Sequence, residues 1–163
     1  MTNAQRAIAD NAIELRRATA EDSEAIWRWN NQPDVRAQSF DSKPIPRDIH
    51  ERWMATRLAD PATKMWIIET SGGPIGIVRV QQDGAFGRIS IALDATLRGR
   101  GQGRAALGRA AEIDGRDIIA DIAADNLPSI KMILACGFLK TGEYETGDGR
   151  LIFVYERKVN HEV

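Results

Sequence analysis

The chain has 163 residues, of which 22 are Lys or Arg and 23 are Asp or Glu, for a net charge of −1. That length suits one domain with a core large enough to fold alone, and the charge balance excludes both a global basic bias for nucleic acid and an acidic tail. A single cysteine, Cys136, excludes an intrachain disulfide framework and suggests a reducing cytoplasm, and no apolar run approaches membrane-spanning length.

Met1 to Asn11 lacks the apolar core of a signal peptide and reads as an extension, residues 1–11, ahead of a single domain over 12–163. Ile13 to Arg17 reads as a first strand. Thr19-Ala-Glu-Asp22 offers an N-cap and an acidic first turn for a helix running through Trp27 to Trp29. Asn30-Asn-Gln-Pro-Asp34 is turn chemistry, and Phe40 to Pro46 is a loop. Pro46 favours the start of a second helix, reaching Leu58. Strands are expected at Met65 to Ile68 and Ile75 to Val80, joined by Ser71-Gly-Gly-Pro74. Asp83-Gly84 reverses the chain into Arg88 to Asp94, which alternates polar and apolar residues. A glycine-rich loop follows, then a helix marked by Ala106, Leu107, Ala110, Ala111 and Ile113. Asp117 to Ile122 is a strand, and Pro128 to Ala135 is a helix stopped by Gly137. Phe138 to Tyr144 and Leu151 to Arg157 complete an α/β order of β-α-α-β-β-β-α-β-α-β-β.

The loop between strand and helix carries the chemistry. Arg98-Gly-Arg-Gly-Gln-Gly-Arg104 places Gly99, Gly101 and Gly103 where backbone N–H groups can converge on a ligand. The start of the following helix adds unpaired N–H groups and the positive end of its dipole, which together suit a pyrophosphate. Arg98, Arg100 and Arg104 add positive charge. A P-loop is excluded because no Lys-Ser or Lys-Thr follows, and the dinucleotide fingerprint fails at Ala106. The pattern that does fit is R-x-x-G-x-G at Arg98, Gly101 and Gly103.

This motif resembles the acyl-CoA loop of the GNAT N-acetyltransferase superfamily, and the resemblance extends over nearly the whole chain. Asn126-Leu-Pro-Ser129 with Ala135-Cys-Gly-Phe138 looks like the family's N-x-x-S/A…G-F signature, and Leu15 to Asp22 looks like its opening strand and helix start. The resemblance implies a mixed-sheet acyl-CoA N-acyltransferase fold with acetyl-CoA as donor and no metal. Acetyl transfer to a primary amine would occur by direct attack in a ternary complex. Carried over, the backbone of Ile91 and Leu93 would hold the pantetheine arm and polarise the thioester carbonyl. The segment Gly99, Arg100, Gly101, Gln102, Gly103 and Arg104 would hold the pyrophosphate. Asn126 and Ser129 would touch the arm or the thiol end, although Asn126 reads equally as a helix cap.

Some relatives place a carboxylate five residues before the motif asparagine, which is Asp121 here. Its sequence neighbours Ala120 and Ile122 are apolar, and a buried carboxylate would suit a general base. A tyrosine acid common in relatives is replaced by Ile133, leaving Ser129 or water to protonate the thiolate. Cys136, beside Ala135 and near Phe138, reads as inert packing. His50 and His161 do not form a metal pattern.

Acceptor chemistry is concentrated in the first third. Trp27, Asn30, Arg36, His50 and Trp53 offer aromatic faces for a sugar or base, a guanidinium for phosphate, and polar groups for hydroxyls. Trp27 and Trp53 read equally as helix packing. The set resembles the GNAT branch that acetylates amino-sugar nucleotides, of pseudaminic-acid pathway type. It also resembles the branch that acetylates protein N-terminal amines, including ribosomal proteins. A non-catalytic acyl-CoA sensor is the third alternative. The expected partner is a small-molecule amine, with no nucleic acid or membrane, and the chain is compatible with a monomer or a homodimer.

Overall fold

The structure is a computed structural model and describes Thr2 and residues 12–159. The expected extension, Thr2 apart, and His161 lie outside the described residues. The chain forms a seven-stranded sheet with helices on both faces. Its strands are β1 (Glu14–Arg17), β2 (Thr63–Thr70), β3 (Gly73–Asp83), β4 (Phe86–Leu93), β5 (Ile118–Ala123), β6 (Leu139–Glu145) and β7 (Leu151–Arg157). The helices are α1 (Ser23–Asn30), α2 (Pro33–Gln38), α3 (Arg47–Ala59), α4 (Gln102–Asp114) and α5 (Leu127–Ala135), with short 3₁₀ turns at Ala20–Asp22 and Ala95–Leu97.

Most of these elements follow the sequence pattern, and α2 departs from it. Asn-Asn-Gln-Pro carries turn residues, but Pro33 occupies the first turn of a helix. Its fixed φ and missing N–H suit that position as well as a turn. The strands β2 and β3 run longer than their apolar cores, because Thr63, Lys64 and Gln81 to Asp83 continue the ladder into polar ends.

Strand order is β1-β2-β3-β4-β5-β7-β6. Every neighbouring pair is antiparallel except β4 and β5. Those two are joined through α4, the crossover that a parallel pair requires. Their ladder is short: Gly87 pairs with Ile118 and Arg88 with Ile119, and the strands then diverge. The sheet is therefore split at its centre.

Each face of the sheet has its own core. On one face Trp66, Ile68, Val78, Val80, Ile89 and Ala120 pack under Leu107 and Ala110 of α4 and Ile133 of α5. On the other, Met65, Ile67, Ile77 and Ala92 pack under Ile26 and Trp29 of α1 and Met54 of α3. Strand alternation sends Arg79, Arg88, Ser90 and Asp121 to this second face. The split and the α1–α3 face thus meet along β4.

Candidate active site

The glycine loop forms an uncapped helix start. Gly101 occupies the N-cap of α4 with φ +76° and makes no side-chain cap, and no hydrogen bond from a side chain to the helix's first amides is formed among the described residues. Gly99 also lies in the left-handed region, at φ +81°. A Cβ at either position would meet nothing within 4 Å, so open space lies where the loop amides can be approached. Gly103 serves a different purpose. A Cβ there would lie 2.7 Å from Leu93 Cδ1 and 3.0 Å from Met132 Sδ, so its absence lets α4 close on β4 and α5.

The three arginines divide. Arg100 and Arg104 are exposed around the loop. Arg98 is already committed: it pairs with Asp34 of α2, and its Nη2 donates to the Leu93 carbonyl at 3.0 Å. These contacts tie the end of β4 to α2. Gln102 is buried, so this residue can offer its backbone rather than its side chain.

Ladder parity decides which backbone groups face the split. Asp94 donates to the Ile75 carbonyl, so residues 88, 90, 92 and 94 turn their backbone groups toward β3. Ile91 and Leu93 therefore turn theirs toward the diverging β5. The Leu93 carbonyl accepts from Gln32 Nε2 at 2.8 Å as well as from Arg98. Ile91 is the residue whose backbone faces the gap beyond the short ladder.

On the α1–α3 face a cavity of about 450 Å³ opens beside β4, lined among others by Asn30, Arg36, Asp41, Trp53, Arg79 and Ser90. Of the expected acceptor residues, Asn30, Arg36, His50 and Trp53 line this chamber. Arg36 borders it but is occupied: Nε donates to the Asn30 carbonyl at 2.7 Å, Nη1 to the Asp41 carbonyl at 3.0 Å and Nη2 to Ser39 Oγ at 2.9 Å. It fastens the loop after α2. His50 is 1% exposed, and its Nε2 lies 2.9 Å from the Ser23 carbonyl and 3.1 Å from Ser23 Oγ, so it joins α3 to α1. Trp27 lies outside the chamber lining. Its Nε1 donates to the Ile45 carbonyl at 2.8 Å, and Arg47 sits 5.3 Å over its ring. Arg36 and His50 are thus part of the chamber wall, and Trp27 ties α1 to the loop ahead of α3.

Residues 12–139 match the Acetyltransferase (GNAT) domain family. The chain belongs to the GNAT acetyltransferase family. It is an N-acetyltransferase, and acetyl-CoA is the donor that the family uses. No curated protein matches the chain significantly. Among solved structures it is similar to spermidine N-acetyltransferase from Vibrio cholerae, solved with CoA and spermine, at 19% identity and TM-score 0.79, covering 90% of this chain and 95% of that one. It also resembles a putative phosphinothricin N-acetyltransferase, with 22% identity, TM-score 0.78 and coverage of 92% and 100%. An N-acetyltransferase from Staphylococcus aureus Mu50 matches at 24% identity and TM-score 0.72, covering 90% and 98%. At these identities the likeness is one of fold.

In the acetyltransferase, Asp121 has polar neighbours in space, unlike its neighbours in sequence. Arg88 Nη1 donates to its Oδ2 at 2.5 Å and the Tyr144 hydroxyl donates to the same oxygen at 3.1 Å. Among the described residues its Oδ1 has no hydrogen-bond partner. Burial, and then the Asp121 charge, push the Tyr144 hydroxyl above its ordinary pKa, so it stays protonated and donates. Tyr144 lies 23 residues from Asp121 in the chain, and only β6–β7 and β5–β7 pairing brings them together.

Asn126 is the cap of α5: its Oδ1 accepts from the Ser129 N–H at 3.4 Å. Ser129 is half-buried in that first turn. Cys136 contacts the Arg104 carbonyl at 3.4 Å on the α4–α5 side, away from the chamber. Burial pushes its thiol up, which disfavours the thiolate a nucleophile would need. Among the described residues no helix is long and apolar enough to cross a membrane.

Proposed function

We propose that this acetyltransferase acetylates the primary amine of an amino-sugar nucleotide held in the α1–α3 chamber, by direct transfer in a ternary complex. One observation carries the proposal. The chamber borders Ser90 and Ala92 on β4, while the backbone of Ile91 between them turns to the split. Donor and acceptor can therefore meet across a single strand, with no covalent enzyme intermediate.

Acetyl-CoA, when bound, supplies the acetyl thioester. The residues present fit it: the amides of Gly99 to Arg104, with Arg100 and Arg104 beside them, suit its pyrophosphate. The backbone of Ile91 suits an extended arm, which would continue the interrupted ladder. Ser129 stands at the start of α5 as a hydroxyl for the thiol end. Asp121 is the proposed base, through Oδ1. The bonds from Arg88 and Tyr144 fix the carboxylate by Oδ2 and leave the other oxygen to take the amine's proton. In the chamber the face of Trp53 suits a sugar or base, and Asn30 suits its hydroxyls.

The test is CoA release with UDP-amino-sugars, ribosomal-protein N-terminal peptides and spermidine offered separately. Turnover of the UDP-amino-sugars supports the proposal. Turnover of peptides alone would replace it with the N-terminal acetyltransferase alternative. Tight acetyl-CoA binding with no turnover of any acceptor would favour a sensor.

A further inference from the structure

Arg79 sits in the middle of β3, opposite Met65 on β2 and Ser90 on β4, so its side chain rises from the sheet into the chamber. Sequence gave no reason to single it out. Several guanidinium groups elsewhere in this protein are matched to carboxylates: Arg16 to Asp22, Arg88 to Asp121, Arg98 to Asp34 and Arg116 to Asp114. Arg79 has no ion pair and no side-chain hydrogen bond among the described residues.

Its environment leaves the group half-buried at the chamber wall. Trp53 lies under the guanidinium, 5.4 Å from ring centroid to Cζ, within cation–π range. The N–H edge is left unclaimed. Burial, and then the nearby charge of Arg57 on α3, pull the Arg79 pKa below its ordinary value. The other charged groups of the chamber give no relief. Arg36 is spent on backbone carbonyls, and the Asp41 carboxylate accepts from the Lys43 N–H at 3.0 Å without pairing to Arg79. Arg79 is half-buried, so its cation is partly desolvated and has no counter-charge in the free protein. An incoming anion would supply what is missing, and the rigid fork of the guanidinium suits an oxyanion.

We propose that Arg79 is the anion anchor of the acceptor site, so that the acceptor is a primary amine that also carries an oxyanion, phosphate or carboxylate. This rests on the chamber being the acceptor site. A polyamine, protonated at several nitrogens, would meet Arg79 with like charge. Arg79 thus sets substrate choice away from the acceptor named for the Vibrio cholerae relative.

The experiment uses the full chain saturated with CoA, so that the glycine loop is already filled. UDP and N-acetylglycine are titrated separately by calorimetry, as amine-free phosphate and carboxylate probes. The proteins are the wild type, Arg79→Met, which keeps the apolar stem, and Arg79→Lys, which keeps the charge. One probe should bind the wild type, and Arg79→Met should weaken it by about 10- to 100-fold, the loss of a charge-assisted hydrogen bond. Arg79→Lys should fall between. Which probe binds identifies the oxyanion. Thermal unfolding should show Arg79→Met as stable as the wild type or more so, because an unpaired charge has been removed. Equal probe binding by Arg79→Met, binding of neither probe, or a marked loss of stability would overturn the proposal. Turnover separates it from the acceptor assignment. If UDP-amino-sugars are acetylated equally by wild type and Arg79→Met, the anchor fails and the assignment stands. If they are not acetylated while oxyanion binding depends on Arg79, the assignment fails and the anchor stands.

Discussion

Replacing Gly101 by Ala separates the cost of backbone strain from the loss of a binding site. Gly101 has φ +76°, and a Cβ there meets nothing within 4 Å. The penalty in the free protein is therefore conformational: about 1–2 kcal/mol for an L-residue in the left-handed region. Reduced freedom of the unfolded chain offsets about 0.4–1 kcal/mol of it. The net is about 1 kcal/mol, or a fall in Tm of roughly 2–4 °C for a domain of this size, well inside a stability on the order of 5–15 kcal/mol. Binding should suffer more. The added methyl group occupies the open space over the loop, and loss of one charge-assisted amide–phosphate bond costs about 1.5–3 kcal/mol, or roughly 10- to 100-fold in Kd. Gly84→Ala is the control. Gly84 also has positive φ, at +58°, and open surroundings, but it lies in the β3–β4 turn away from the loop. Calorimetry with acetyl-CoA and thermal unfolding should show similar small losses of stability in both variants and a large affinity loss in Gly101→Ala alone. Gly101→Val should be worse still. A folded Gly101→Val protein with wild-type affinity for acetyl-CoA would refute the cradle. Neither NAD nor ATP should stabilise the wild type comparably.

Asp121→Asn should lower kcat by roughly 10²-fold, with the deficit shrinking as pH rises and the amine arrives already deprotonated; near-normal kcat across about pH 6 to 9 removes Asp121 as base. Tyr144→Phe leaves Oδ1 in place and should cost far less. His50→Ala creates a cavity and leaves the Ser23 groups unmet, so unfolding should show a loss of about 2–4 kcal/mol with acetyl-CoA affinity unchanged. An unchanged Tm with a raised acceptor KM would instead return His50 to the acceptor site. The Arg16 hydrogen bond, first among its causes, holds the Asp22 carboxyl below its ordinary pKa. A depressed carboxyl contributes stability above its unfolded pKa, about 3.9, and loses it as pH falls through the folded value. Asp22→Asn should therefore be less stable than wild type at neutral pH, and the gap should close below about pH 4. A gap that persists undiminished in acid would contradict the linkage.

The local rules of the chain were enough to establish the alternation of strands and helices, and with it the mixed sheet. The glycine loop was legible for the same reason: left-handed backbone and a bare helix start are properties of neighbouring residues. Asn126 as a cap of α5 is equally local. The helix α2 was not, because Pro33 serves a turn or a helix start alike and packing chooses between them. Side-chain roles depended on partners far along the chain. Arg98 meets Asp34 and the Leu93 carbonyl, across 64 residues in the first case. Arg36 and His50 looked available because nothing adjacent in sequence claims them, yet loop carbonyls and Ser23 do. Asp121 met Arg88 and Tyr144 in place of its apolar flanks. Arg79 became conspicuous only when sheet pairing enclosed it against Trp53 without an acid. Sequence spacing fixes which face of an element a side chain takes. Whether its charge is paired depends on what the folded sheet places opposite it, and that was decided by tertiary structure alone.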